Sequence, residues 1–510
     1  MCGLAKFTGS AKYFVTARTS DCDNRGTFHS KLGSSMLARG TASATSGQAH
    51  TKTDDGRFVP TKSPLLVVFS FGNVFGFLLI AFVIVLPLVL NPGYFSSDEL
   101  QWLAFADTPT LNQVPWSAWF DFSPFQYRPL TFNLWLFLSH FIGYQPVLMH
   151  LARIAFGLVA AWLLRSVLLQ FDVASRQATL AAWIWLLTPY TVYTHGWVGT
   201  FGDSLCLIFM LLALRHVLIQ SRTDSWIPAI VDSLPVAALT ALALMSKESA
   251  VVFPAAMFIA VLRRRDRVGV AAFAASAVVV AIYLGLRLQT ILFPHVTADG
   301  YHWSLANIPA RFAEYTVFPF LVGHFEVIAS RTHLANWPAL FSLGIVMAAS
   351  FGAGWRRCLV FWIGWIAALG PVLILDDAYN QYAYLAGAWA CAFIAFAWER
   401  MPAALRVLLI LPIAMLLVHG AQQIRDIRHI GQMQRNLYAD LPGILAGATH
   451  PIVVRAQRGS DDFILQRLLT DVPSYHRAPV ASRVAVVTWS DPRVVPDYRM
   501  RGDGHLIPAR

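Results

Sequence analysis

Charge is what this sequence has least of. Only 13% of its 510 residues are Asp, Glu, Lys or Arg, about half the share of a soluble protein, while 56% are hydrophobic. Too little polar surface exists to clothe a water-exposed body, so a soluble multidomain enzyme is excluded and a polytopic membrane protein is left. Cysteine is scarce too. Cys2, Cys22, Cys206, Cys358 and Cys391 form no CxxC pair, and the last three sit in apolar runs, so neither a zinc site nor a disulfide framework is readable. Lysine nearly vanishes: there are six, five of them within the first 62 residues, and the sixth is Lys247. The net charge of +11 is spread over loops and tails with no interleaved aromatic platform. Membrane topology and anionic lipid explain that excess, and no nucleic-acid partner is expected.

What is present is a succession of long apolar runs. Residues 1–64 carry nine Lys/Arg against four Asp/Glu and show no apolar period, which reads as a disordered basic cytoplasmic tail. The run from Pro64 to Leu90 spans roughly 39 Å as a helix, more than the roughly 30 Å hydrocarbon core, and is expected to be an uncleaved first membrane helix. Further segments are readable near 129–143, 146–169, 177–194, 203–219, 228–245, 249–262, 268–289, 336–353, 358–375, 380–398 and 403–419. The expected fold is therefore all-α and polytopic, with about twelve transmembrane helices (eleven to thirteen), over residues 65–419.

The arginine-rich loops at 263–267, 356–357 and 400–406 belong in the cytoplasm by the positive-inside rule, which puts 91–126, Lys247, 291–337, 376–381 and the C-terminal tail outside. Counting leaves a conflict at 165–176: one of the two segments before that loop must fail to cross fully. The external stretches 91–126 and 291–337 mix Trp102, Trp116, Trp119, Phe120, Tyr301, Trp303 and Tyr315 with polar residues, as interfacial helices do. The tail from 420 to 510 alternates in short runs such as RVAVVTW, a strand-like pattern that predicts a small α/β-like appendage.

The ionisable residues left near the membrane are few. Asp98 and Glu99 follow the first span, where partial desolvation and mutual repulsion suit one of them to general-base work; capping of the next helix is the plainer account. Arg128 stands at the outer mouth of a segment, placed to hold a phosphate or to anchor at the interface. His150 and Arg153 are one turn apart inside an apolar helix, a costly placement. His195 and Asp203 share the external side. Lys247 and Glu248 interrupt two apolar runs, and a lone lysine in an arginine-using chain suggests a compact charge for phosphate. The turn from Asp376 to Tyr384, with Asn380, Gln381 and Tyr382, could bond sugar hydroxyls. Five of these groups fall on one face, as an external active site fed from the bilayer requires.

The succession SSDE, DFSPFQYRPLTFNLWLFL, GYQPVLMHLARI, TPYTVYTHGWVGTFGDSL, SKESAVVFP and NQYAYLAG, across residues 65–400, resembles the type-C membrane glycosyltransferase superfamily. It is most similar to the membrane core of the transmembrane and tetratricopeptide-repeat-containing O-mannosyltransferases and their bacterial relatives. The chain departs from them at Thr188-Pro189, where His-Pro is usual, at GTFGD, at Asn380-Gln381-Tyr382 in place of Glu-Arg-Tyr, and in lacking the repeats.

The resemblance implies inverting transfer of a sugar from a polyprenyl-phosphate donor to a glycan, lipid or protein hydroxyl outside the cytoplasm, with membrane lipid around it. It implies Asp98 as catalytic base, Glu99 assisting or joining Asp98 in holding a divalent cation (Mg or Mn). Arg128, His150, Arg153, His195, Asp203, Lys247, Glu248 and Tyr382 are expected as carrier-phosphate, substrate-binding or site-organising groups. The expected location is a bacterial cytoplasmic membrane with the site on its external face. A surface-glycan polymerase or ligase, a transporter and a non-catalytic membrane protein are the competing readings.

Overall fold

The computed structural model describes residues 51–52, 58–59, 64–292, 302–328, 333–489, 491 and 493–509. The basic tail expected over 1–64 lies outside these residues, except that Thr51–Lys52 and Phe58–Val59 pair as two short antiparallel strands. Tyr301 also lies outside them. The chain divides into two compact units, one over residues 12–76 and the other holding 77–510; everything below concerns the second.

Helices dominate, and their starts follow local chemistry. Pro129, Pro146 and Pro189 each occupy a first helical position, where a fixed φ helps and a missing N–H costs nothing. Among the described residues, five helices are long and apolar enough to cross a membrane: Pro146–Gln170, Val198–Ile219, Trp226–Ser246, Arg267–Thr290 and Ala403–Gly447. Ile227, Ile230, Val231 and Leu234 lie exposed along one helix, an apolar face that only lipid would cover.

Other expected segments are shorter than a full crossing. The Pro129–Ile142 helix has 14 residues, roughly 21 Å against the roughly 30 Å core, and is the shorter of the two segments before the 165–176 loop. The segment expected over 177–194 is broken into Ser175–Leu186 and Pro189–Gly196, because Pro189 ends one helix and Thr188 caps the next through the Thr191 N–H. Both stretches expected to be external hold short helices, at Ser97–Ala106 and Ile308–Val317.

The Ile410–Gly447 helix runs 38 residues without a break, so the boundary expected at 420 falls inside it: apolarity stops there but helical propensity does not. Beyond it, Ile452–Ala456 and Val484–Val487 pair in parallel through the Asp462–Leu469 crossover helix, and Tyr498–Met500 and Leu506–Pro508 complete a mixed four-stranded sheet. The RVAVVTW strand is thus present.

The long helix works as a spine. His419 bonds the carbonyls of Pro319 and His324, Gly420 lies against Leu187, Ile427 against Gly196, Gly431 against Asn91, and Tyr438 bonds the Leu468 carbonyl. At Gly431 a Cβ would collide with the Asn91 side chain, so glycine is required for the first external loop to approach.

Candidate active site

Asp98 and Glu99 open the Ser97–Ala106 helix, but they face different surroundings. Glu99 is buried, and its Oε2 accepts from the backbone N–H of Phe95 at 2.9 Å and of Ser96 at 3.1 Å, the return half of a capping box. Its Oε1 accepts from the Val198 N–H at 2.7 Å, tying the first external loop to the start of the Val198–Ile219 segment. Burial pushes the Glu99 carboxyl up to about 8, against the pull of those three N–H groups. Asp98 is only partly buried and accepts no hydrogen bond from any described residue; burial raises it, while the charge of Arg467 opposes the rise. Of the two carboxylates, Asp98 is the less enclosed and the one that accepts no hydrogen bond from the described residues.

The turn 197–204 is the hub. Arg153, fully buried, donates to the Thr194 carbonyl at 2.9 Å, to Ser204 Oγ at 2.8 Å and to Thr200 Oγ1 at 3.3 Å. His195 meets Tyr384 Oη at 3.0 Å, and Tyr384 meets Ser204 Oγ at 2.9 Å. His150 bonds the Gly93 carbonyl at 3.0 Å. His150, Arg153 and His195 all have 0% exposure and bond to loop carbonyls and hydroxyls, the position of site-organising groups.

One turn further, Asp203 forms a buried ion pair with Lys247, whose ammonium also lies 5.3 Å from the centre of the Tyr382 ring. Arg128 Nε donates to Glu248 Oε2 at 2.7 Å, and Thr131 Oγ1 donates to the Ser246 carbonyl at 2.8 Å, which locks the two mouths together. Burial pulls the Lys247 ammonium below its ordinary value, with Asp203 opposing. The structure therefore gathers Arg128, Asp203, Lys247, Glu248 and Tyr382 into one cluster. Asn380 instead ties the second external stretch, through the Val327 N–H and the Phe325 carbonyl.

An apolar groove of about 450 Å³ opens among the helices that follow this cluster in sequence. Val252 lines it four residues after Glu248, and Leu164, Leu211, Ile259 and Trp389 continue it to Arg263 and Arg357.

Three residues near Asp98 have no counterpart in the sequence reading. Arg467, from the crossover helix of the C-terminal unit, donates to the Phe95 carbonyl at 2.7 Å, to Glu326 Oε1 at 2.6 Å and to Tyr193 Oη at 2.9 Å. Tyr193 in turn donates to Glu326 at 2.8 Å. In sequence Arg467 reads as a cation at the end of a short amphipathic helix, where dipole complementarity explains it.

The donor set does not suit a divalent cation. Both Glu99 oxygens are engaged by N–H donors, and no group of three His, Cys, Asp or Glu side chains converges among the described residues.

No protein family's sequence profile matches the chain, and no curated protein does. Among solved structures the chain is similar to ArnT from Cupriavidus metallidurans bound to undecaprenyl phosphate, at 15% sequence identity and a TM-score of 0.48, over 82% of this chain and 86% of that one.

Proposed function

We propose that this chain is a membrane glycosyltransferase that moves one sugar from a polyprenyl-phosphate carrier to an acceptor hydroxyl on the external face, with inversion. The observation that carries the reading is the junction of two unlike environments: Asp203 and Glu248, from the Lys247–Asp203 and Arg128–Glu248 pairs, each stand four residues before a residue, Leu207 or Val252, that lines an apolar groove of about 450 Å³ among the helices. A phosphate on a long apolar tail is the ligand chemistry that uses both at once. Lys247 has three N–H donors and gives one to Asp203, which leaves donors for a phosphate oxygen.

In the transfer, the acceptor oxygen attacks the anomeric carbon from the face opposite the carrier. Its proton passes to the Asp98 carboxylate, and the bond between the anomeric carbon and the carrier oxygen breaks with its electron pair going to the phosphate. Lys247 and Arg128 steady that charge. Glu99 holds the loop in place without touching the reacting atoms. The reading needs no metal.

Sugar release from a panel of polyprenyl-phosphate sugars by the purified protein in lipid tests it. One donor is consumed by the wild type, and Asp98→Asn slows that consumption by about 10²–10⁴ with unchanged thermal unfolding. Equal turnover in both removes Asp98 as base; no turnover of any carrier by the wild type sinks the whole reading and favours the polymerase.

A further inference from the structure

The spine helix emerges from its apolar stretch carrying Arg425, Arg428, His429 and Gln432 on exposed positions. Two cavities adjoin along it and share His429 and Gln432. The lower, about 400 Å³, is floored by Pro92, Ala421 and Ile424 and rimmed by Arg425 and Arg428. The upper, about 520 Å³, is closed by Arg458, Asp461, Arg501 and Asp503 from the C-terminal unit. Both lie within the roughly 300–1,000 Å³ of ligand pockets.

Charge in this groove is unevenly spent. Asp503 answers Arg501 at 3.4 Å and Asp426 answers Arg425 at 3.6 Å. Arg428 and Arg458 form no ion pair among the described residues. Two elements far apart in sequence thus bring two guanidinium groups outside any ion pair, and one further carboxylate, Asp461, to one groove whose lower cavity has Pro92, Ala421 and Ile424 in its lining. The groove lies on the Asp98 side, since Pro92 belongs to the same loop. Topology does not call for arginine there, because basic residues are favoured on the opposite face.

We propose that the two cavities form one site for the phosphate headgroup of an anionic membrane lipid. Arg428 and Arg458 take the phosphate oxygens, and Pro92, Ala421 and Ile424 meet the first carbons of the acyl chains. The site is separate from the sugar-transfer centre and its binding does not depend on transfer.

The test titrates short-chain phosphatidylglycerol into the full-length protein in neutral detergent by calorimetry, with short-chain phosphatidylcholine and glycerol phosphate alongside. Phosphatidylglycerol binds about tenfold or more tighter than either, and Arg428→Gln with Arg458→Gln weakens it by about tenfold or more. Arg356→Gln, on the other face, leaves it within about twofold. Unchanged binding in the double variant overturns the site. Glycerol phosphate binding as tightly as the lipid, and lost in the double variant, overturns the lipid as occupant and reassigns the groove to a soluble phosphate. Both arginines are exposed, so folding is expected to survive; matching thermal unfolding of variant and wild type checks that.

Discussion

The two halves of the candidate site are built in opposite ways. The phosphate half, Arg128, Asp203, Lys247, Glu248, is assembled from neighbouring membrane segments and held by ion pairs that answer one another. The proposed base half keeps one carboxylate, Asp98, without a hydrogen-bond partner among the described residues, and the cation whose charge acts on it, Arg467, arrives from the C-terminal sheet region, 372 residues beyond Phe95. The first half spends its charges on its own architecture and has to share them with a substrate. The second holds a group in reserve by satisfying everything around it.

The sharpest way to break this contrast is to remove one member of the buried pair. Lys247→Met leaves Asp203 buried and unanswered, and thermal unfolding should register a loss of about 3–5 kcal/mol. Adding Asp203→Leu should recover most of the stability but none of the donor consumption. Recovery of both would mean that the pair is structural only.

Glu99→Gln tests the base half next. An amide cannot accept the three N–H bonds equally, so a loss of about 1–3 kcal/mol is expected. The pH dependence carries a sign. The folded carboxyl keeps its proton up to about 8, whereas the unfolded one releases it near the ordinary 4.5. Between those values the folded state binds more protons, so stability falls as pH rises, and it is fully present only below that window. The glutamine variant should lose that slope; an unchanged slope would place the titration elsewhere.

Arg467→Gln should have the smallest effect and the most specific one. Its positive charge favours ionised Asp98, so removal raises the Asp98 pKa further and moves the acid limb of the pH–rate profile to higher pH. The rate at high pH should return, and Arg467→Lys should lie between. A uniform loss at every pH would make Arg467 a structural strut alone.

The residues of the Arg128, Asp203, Lys247 and Glu248 cluster were legible in the sequence because they stand in short motifs at the ends of apolar runs, where a charge is conspicuous. Lys247 stood out by residue type, Arg128 and Asp203 by place. The segments themselves were legible for the same reason, but their completeness was not: Pro189 breaks one, and the 129–142 helix stops short although its composition matches a full span. His150, Arg153 and His195 attracted notice by their cost in an apolar setting, yet that cost is offset by carbonyls and hydroxyls that no local pattern discloses. Arg467, Tyr193 and Glu326 could not be joined in advance, since only the tertiary fold brings three such distant positions together.

The spine helix adds a constraint of another kind. Its contacts with the second external stretch, the 189–196 helix, the first loop and the C-terminal unit succeed one another from His419 to Tyr438. Each residue of an α-helix advances by about 100° and 1.5 Å. Inserting or deleting a single residue in that interval is therefore a phase error: everything beyond the change turns away from its partners at once. Most substitutions there are local events, but length is not negotiable, and related chains should vary in the letters of this stretch, Gly420 and Gly431 excepted, while keeping its count.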